Sequence, residues 1–307
     1  MKHTLTLLTA LLLAPLAALR AAEASQIQIS DRAVIFKHTS TDPKDPANTS
    51  GYNLGASITV LPDGRVMAVW FSSPSEGAES QRIMQAFSAD QGRTWGEAAV
   101  LQDLAGKADF DPALFVAGKE TFLFFSAFNP QIDIYFRRSS DSAKTWTEPV
   151  KIHQPNHTTR SNGIRLSTGE LLVPLHTRGT KDGQLWRSIS TDKGETWSAP
   201  EKTGVTSTSS ASHLLCTRDG TLVLTYNPGP DPHRFPLHIR VSHDEGKTWS
   251  EPTLLADRPA KGSGWSICYP TLTELPDGTL VAIWTQKKDS PGELYCDIHS
   301  ARIALKK

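Results

Sequence analysis

The feature that most constrains this chain is an eight-residue stretch that returns at a near-constant interval. It reads SADQGRTW from Ser88 to Trp95, SSDSAKTW from Ser139 to Trp146, STDKGETW from Ser190 to Trp197, and SHDEGKTW from Ser242 to Trp249. The four tryptophans lie 51, 51 and 52 residues apart. Self-similarity at about 50 residues points to a propeller or solenoid, because one such unit cannot bury its apolar face alone and must stack on its neighbours. Each copy reads as a tight turn between two strands. The Asp carboxylate can accept hydrogen bonds from the N–H groups of its own turn, Gly supplies a left-handed conformation, and Trp opens the next strand with a large buried ring. In the second copy Ala143 stands where Gly is expected, so that turn should be looser or differently shaped.

Each repeat holds more than its turn. ASITVLPDGRVMAVWF, ALFVAGKETFLFFSAF, GIRLSTGELLVPLH, HLLCTRDGTLVLTY and TLTELPDGTLVAIWTQ each place two apolar runs around a Gly-containing turn, the pattern of a β-hairpin. A third strand runs into the repeated turn and a fourth leaves it with Thr-Trp. Four antiparallel strands per unit make a propeller blade. The fold class expected is therefore all-β, a β-propeller with five blades by repeat count. The fifth unit has no turn motif, and its third strand, ELYCDIHSARIAL, runs to the chain end. QIQISDRAVIF, from Gln26 to Phe36, is a lone strand ahead of the first unit. Pairing these two closes the ring and leaves no exposed edge.

Residues 1–24 read as a secretory signal peptide. Lys2 and His3 precede an apolar run broken by Pro15, and Ala22-Glu23-Ala24 offers small residues for cleavage. The run is too short and interrupted for a membrane span. The mature protein, residues 25–307, is expected to be one domain, secreted or periplasmic, and monomeric. Lys plus Arg equals Asp plus Glu at 32 each, so no global field recruits nucleic acid or an anionic membrane. Cys216, Cys268 and Cys296 are too few for a disulfide scaffold. Free thiols are the default, with a Cys216–Cys268 bridge conceivable if their strands are neighbours. No metal-ligand spacing or phosphate-binding loop occurs, so neither metal nor other cofactor is expected.

The S-x-D-x-G-x-T-W repeat resembles the Asp-box, or bacterial neuraminidase repeat, of the sialidase superfamily. The resemblance implies six blades, with 37–54 as the segment that could hold a degenerate sixth. It also implies that the box turns are structural and peripheral. Members of that superfamily grip the substrate carboxylate with three arginines, use a Tyr assisted by a Glu as nucleophile, and use an Asp as acid/base. A neutral phenol activated by a neighbouring base avoids the repulsion a carboxylate nucleophile would feel from an anionic sugar. Arginine's planar fork matches a carboxylate.

Carried onto this sequence, CYPTLTELPDGTLVAIW resembles the segment bearing the nucleophile, which implies that role for Tyr269. The loop SSPSEGAESQ stands where the acid/base belongs, with Glu76 the first stand-in and Glu79 the second. RSNGIRLSTGELLVPLH resembles the third unit's inner hairpin, implying that Arg160 and Asn162 face the channel with His176 and Arg178 near its rim. Arg234 could supply a further cation. In a propeller the segments before each innermost strand, and the loops between second and third strands, surround the channel mouth. That adds Tyr52, Asn53, Asp109, Asp111 and Trp265 as candidates, Asp111 for substrate contact.

Three departures stand out. The first family arginine belongs in a stretch that here reads GYNLGAS. Ala211 occupies the place of the activating Glu, with His213 beside it as a substitute base, since imidazole titrates near neutrality. Asn227 falls where another arginine is expected. The expected function is an exo-acting glycosidase, sialidase-like, on a terminal, acidic sugar of a glycan. Two alternatives are a glycan-binding propeller without catalysis and a lyase on uronic-acid polysaccharides.

Overall fold

The computed structural model describes residues 27–40, 42, 49–152, 158–159, 162–165, 171–172, 175–176, 184–187, 201–206, 210–228, 234–259 and 263–306. The leader expected at 1–24 and the third box turn lie outside them. The described residues form strands and turns, with no helix among them.

Strand β1 (Ile27–Phe36) precedes the first hairpin unit, β2 (Tyr52–Val60), β3 (Val66–Ser73), β4 (Arg82–Ser88) and β5 (Ala99–Gln102). The second unit is β6 (Ala108–Ala117), β7 (Glu120–Phe128), β8 (Ile132–Ser139) and β9 (Val150–Ile152). Short pairs follow from β10 (Thr158–Thr159), β11 (Ile164–Arg165), β12 (Leu171–Leu172), β13 (Leu175–His176), β14 (Gln184–Arg187) and β15 (Glu201–Thr206). The fourth unit is β16 (His213–Cys216), β17 (Leu222–Tyr226), β18 (Leu237–Ser242) and β19 (Thr253–Ala256), and the fifth is β20 (Trp265–Glu274), β21 (Leu280–Ser290) and β22 (Glu293–Leu305).

Four of these units are four-stranded antiparallel sheets, the blades of a β-propeller. The order β1-β22-β21-β20 shows that the first strand supplies the last blade's outer edge, paired from Ile27 opposite Leu305 to Phe36 opposite Ile298 with register slips between Ser30 and Ala33 and between Val34 and Phe36. Between Phe36 and Tyr52 the described residues form no strand, and residues 41 and 43–48 of the segment that could hold a degenerate sixth blade lie outside them.

The apolar core lies in the seams between blades rather than on the axis. Ile58 and Trp70 of the first blade pack with Val281, Ile283 and Ile298 of the last. Phe71 meets Phe110, Leu114 and Phe125 of the second blade, and Val223 and Ile239 of the fourth unit meet Leu272 and Trp284. Burying both faces of a sheet requires nearly continuous apolar strands, and VMAVWFSS of β3 is buried along its whole length.

The box turns fasten these seams from the outside. Asp90 accepts hydrogen bonds from the Thr94 amide at 2.9 Å and hydroxyl at 2.6 Å, and Asp141 and Asp244 repeat this with Thr145 and Thr248. The Trp95 indole N–H donates to Ser300 Oγ on the last blade at 3.0 Å, and Arg65 Nη2 donates to the Ser142 carbonyl at 2.7 Å. Contrary to expectation, the second turn is not looser. Ala143 takes φ +63°, beside +84° for Gly92 and +83° for Gly246, and its amide reaches Ser139 Oγ at 2.9 Å. The hydrogen bonds of Ser139 and Asp141 hold an alanine where glycine is favoured, against about 1–2 kcal/mol of left-handed strain. All three cysteines are free, with Cys268 and Cys296 buried and Cys216 exposed, so the conceivable Cys216–Cys268 bridge is not formed.

Candidate active site

Three innermost strands share one irregularity. In β2 the register against β3 slips between Leu54 and Ser57, in β6 against β7 between Phe110 and Ala113, and in β20 against β21 between Cys268 and Thr271. Each slip is a bulge whose first residue is left-handed: Gly55 at φ +64°, Asp111 at +47° and Tyr269 at +54°. A bulge of this kind suits glycine in that position and re-aims the side chain it carries. Holding an aspartate and a tyrosine there costs about 1–3 kcal/mol each, strain of the type that gathers at functional sites. Gly55 itself leaves room for its neighbour. A Cβ there would stand 2.9 Å from the Phe71 ring and 3.3 Å from Asp111 Oδ1.

Asp111 and Tyr269 thereby reach the same place. With Glu76 they line one cleft of about 510 Å³, walled by Leu54, Phe71, Phe110, Phe128 and Ile132. That volume suits one or two sugar rings. Asp111 and Tyr269 also border a smaller pocket with Gly55, Ser212 and His213. Glu76 and Tyr269, far apart in sequence, therefore open on the same side of the propeller.

Arg234 Nη1 donates to the Tyr269 hydroxyl at 2.8 Å, and its guanidinium lies 5.4 Å from the ring centroid. A fixed cation at a phenol oxygen favours negative charge on that oxygen. Glu76 is met by Tyr52, whose hydroxyl donates to Glu76 Oε2 at 2.5 Å. The loop bearing Glu76 is tied down by Gln81, whose Oε1 accepts the Gly77 amide at 2.9 Å and whose Nε2 donates to the Asp109 carbonyl at 3.1 Å. Burial, with the Glu76 carboxylate beside it, pushes the Tyr52 phenol above its ordinary range, so it stays protonated.

His213 is 8% exposed, and burial pushes its imidazole down to about 4. At neutral pH it is uncharged and a weak base. The Asn162 amide is engaged by β2. Its Nδ2 donates to the Ile58 carbonyl at 3.0 Å, and its Oδ1 accepts the Ser57 hydroxyl at 2.7 Å. Ser57 Oγ also accepts the Leu114 amide at 2.9 Å, so Asn162 belongs to a knot joining inner strands. Arg160 and Arg178 lie outside the described residues, and His176 is described only as part of β13, opposite Thr158. Asn227, at an expected arginine position, uses Nδ2 on the carbonyls of Pro236 and Ile267. Among the described residues no three His, Cys, Asp or Glu side chains cluster as metal ligands.

Lys287 went unnoticed in the sequence. Its Nζ donates to the Tyr52 hydroxyl at 3.3 Å and pairs with Asp289 at 2.9 Å. No local pattern marks a lysine in a late strand as a neighbour of Tyr52. The bulges had a partial signal in Asp111-Pro112 and Tyr269-Pro270, which recur at one register of two units.

The profile of the BNR repeat-like domain matches residues 64–184 and 175–282. No curated protein matches the chain. Among solved structures, a protein of unknown function from Dyadobacter fermentans is similar at a TM-score of 0.56 and 14% identity, over 92% of this chain and 100% of that one. Trypanosoma rangeli sialidase in complex with sialic acid is similar at 0.61 and 13%, over 89% of this chain and 58% of that one. The leech intramolecular trans-sialidase is similar at 0.51 and 15%, over 88% and 70%. Likeness at such identities speaks to the fold.

Proposed function

This chain belongs to the BNR repeat-like domain family, and from that premise we propose that it is an exo-acting, sialidase-like glycoside hydrolase removing a terminal, acidic sugar from glycans. The leader-like residues 1–24 support an exported protein. One observation carries the reading. A strained bulge presents the Tyr269 phenol, its oxygen held by Arg234 at 2.8 Å, to a cleft shared with two carboxylic residues, Glu76 and Asp111.

In this reading the Tyr269 oxygen attacks the anomeric carbon as the glycosidic C–O bond breaks. Glu76 gives its proton to the departing oxygen, and Asp111 takes the proton of the phenol. Arg234 favours the charge that develops on Tyr269 and meets the acidic group of the sugar. Water then attacks the glycosyl-tyrosine, with Glu76 taking the water's proton and Asp111 returning its own to the phenol.

The test is release of aryl alcohol from an aryl sialoside and a panel of other aryl glycosides. Hydrolysis by the wild type that falls on the order of 10³-fold in Tyr269→Phe, with the melting temperature unchanged, is the expected result. Binding without release would instead mark a glycan-binding propeller, and an absorbance rise from an unsaturated product a lyase.

A further inference from the structure

The cleft carboxyl Glu76 does not stand alone. Behind it runs a chain of polar groups drawn from widely separated segments: Lys287 of β21, Tyr52 at the start of β2, and then Glu76 in the β3–β4 loop. Tyr52 is 5% exposed, packed on Phe71 with ring centroids 6.4 Å apart, so its ring has little freedom. Its hydroxyl donates to Glu76 Oε2 at 2.5 Å and accepts from Lys287 Nζ at 3.3 Å. The Lys287 ammonium also lies 4.7 Å from the Tyr52 ring centroid and is anchored on the other side by Asp289 at 2.9 Å. Every partner of the phenol oxygen is thus directional, and the phenol has one orientation that serves both.

The consequence concerns which Glu76 oxygen can react. A protonated carboxyl has one O–H and one carbonyl oxygen. With Oε2 accepting the Tyr52 hydroxyl, the proton is confined to Oε1. When Glu76 is ionised the same hydrogen bond remains, now charge-assisted, and the ammonium behind the phenol strengthens it. The contact therefore persists through both protonation states that an acid/base group must visit.

We propose that Tyr52 and Lys287 are positioning residues that reserve Glu76 Oε1 for proton transfer in the cleft. This rests on the glycosidase reading above. Neither residue lines the cleft. Their removal acts on the proton-transfer step and leaves binding intact.

The experiment measures kcat and KM for wild type, Tyr52→Phe and Lys287→Met, with whichever aryl glycoside the wild type cleaves fastest. Tyr52→Phe keeps the ring against Phe71 and removes only the hydroxyl. The expected result is a kcat lower on the order of tenfold with KM within about twofold, since one charge-assisted hydrogen bond is lost at the reacting group. In Lys287→Met kcat falls by less, again with KM nearly unchanged. A wild-type kcat in both variants overturns the positioning role and leaves the glycosidase reading standing. A rise in KM at constant kcat overturns it too, because that assigns Tyr52 to binding. No release from any glycoside by the wild type overturns the glycosidase reading and this inference with it.

Discussion

Replacing Asp109 with Asn isolates the effect of one buried carboxyl group on the stability of the whole ring. Asp109 lies on β6, two residues before the bulge at Asp111, and is 0% exposed. Its Oδ2 accepts the Leu104 amide at 2.9 Å and the Gln102 side chain at 3.3 Å, while Oδ1 is buried with no hydrogen-bond partner. Burial pushes the carboxyl up from 3.8 to about 7, with Asp103 adding to the rise and Lys107 opposing it. Below about pH 4 the group is protonated folded and unfolded, and makes no difference. From about pH 4 to 7 the unfolded chain has released a proton that the folded chain retains, so stability falls as pH rises, and above 7 the loss is complete. The upward displacement is worth about 4 kcal/mol at 1.4 kcal/mol per pH unit. Asn places its carbonyl where Oδ2 stood and, like the protonated acid, leaves its donor unpartnered. Thermal unfolding of wild type and Asp109→Asn at about pH 4.5 and about pH 8 should agree within about 1 kcal/mol at the lower pH. At the higher pH the variant should be more stable by about 3 kcal/mol, a rise of roughly 5–10 °C. An equal difference at both pH values, or a variant less stable at pH 8, would refute the reasoning, because it would mean that Asp109 is a compensated anion.

Three further outcomes follow from other parts of the molecule. The box carboxylates Asp90 and Asp244 are held down at about 2 by hydrogen bonds, first from the hydroxyls of Thr94 and Thr248, so their contribution is present above about pH 4 and lost as pH falls toward 2. Asp90→Asn combined with Asp244→Asn should flatten that acid limb in a pH series of melting temperatures. Leu114→Ala, in a fully buried position between the first two blades, should lower stability by about 2–5 kcal/mol in urea titration, and a cost below 1 kcal/mol would contradict the seam packing. A chain beginning at Lys37 lacks β1 and bares the edge of β22, and should self-associate in light scattering where the longer chain does not.

The sites show where sequence reasoning reached and where it stopped. Tyr269 and Glu76 could be named because each stands at a recognisable place in a repeat, and both line one cleft. His213 could be named by proximity to an expected base, but its burial, which makes it a weak one, depends on what packs over β16. Asn162 looked like a channel ligand, yet its amide joins Ser57 and Ile58 from 105 and 104 residues away. Ala143 looked like a disturbed turn, and the hydrogen bonds of Ser139 and Asp141 impose the shared shape on it.

By itself the sequence determined the all-β class, the blade repeat, the box turns and the closing of the ring by its first strand. These follow from residues at fixed short spacings, where turn chemistry and apolar alternation act within one unit. Only the tertiary structure decided that Tyr269 meets Arg234, that Tyr52 stands between Lys287 and Glu76, and that Asp109 is buried with one oxygen unpartnered. Those depend on which strand lies across a seam and on how far a bulge turns a side chain. Hydrogen bonding and desolvation at such points act through distance in space, and sequence separation carries no record of it.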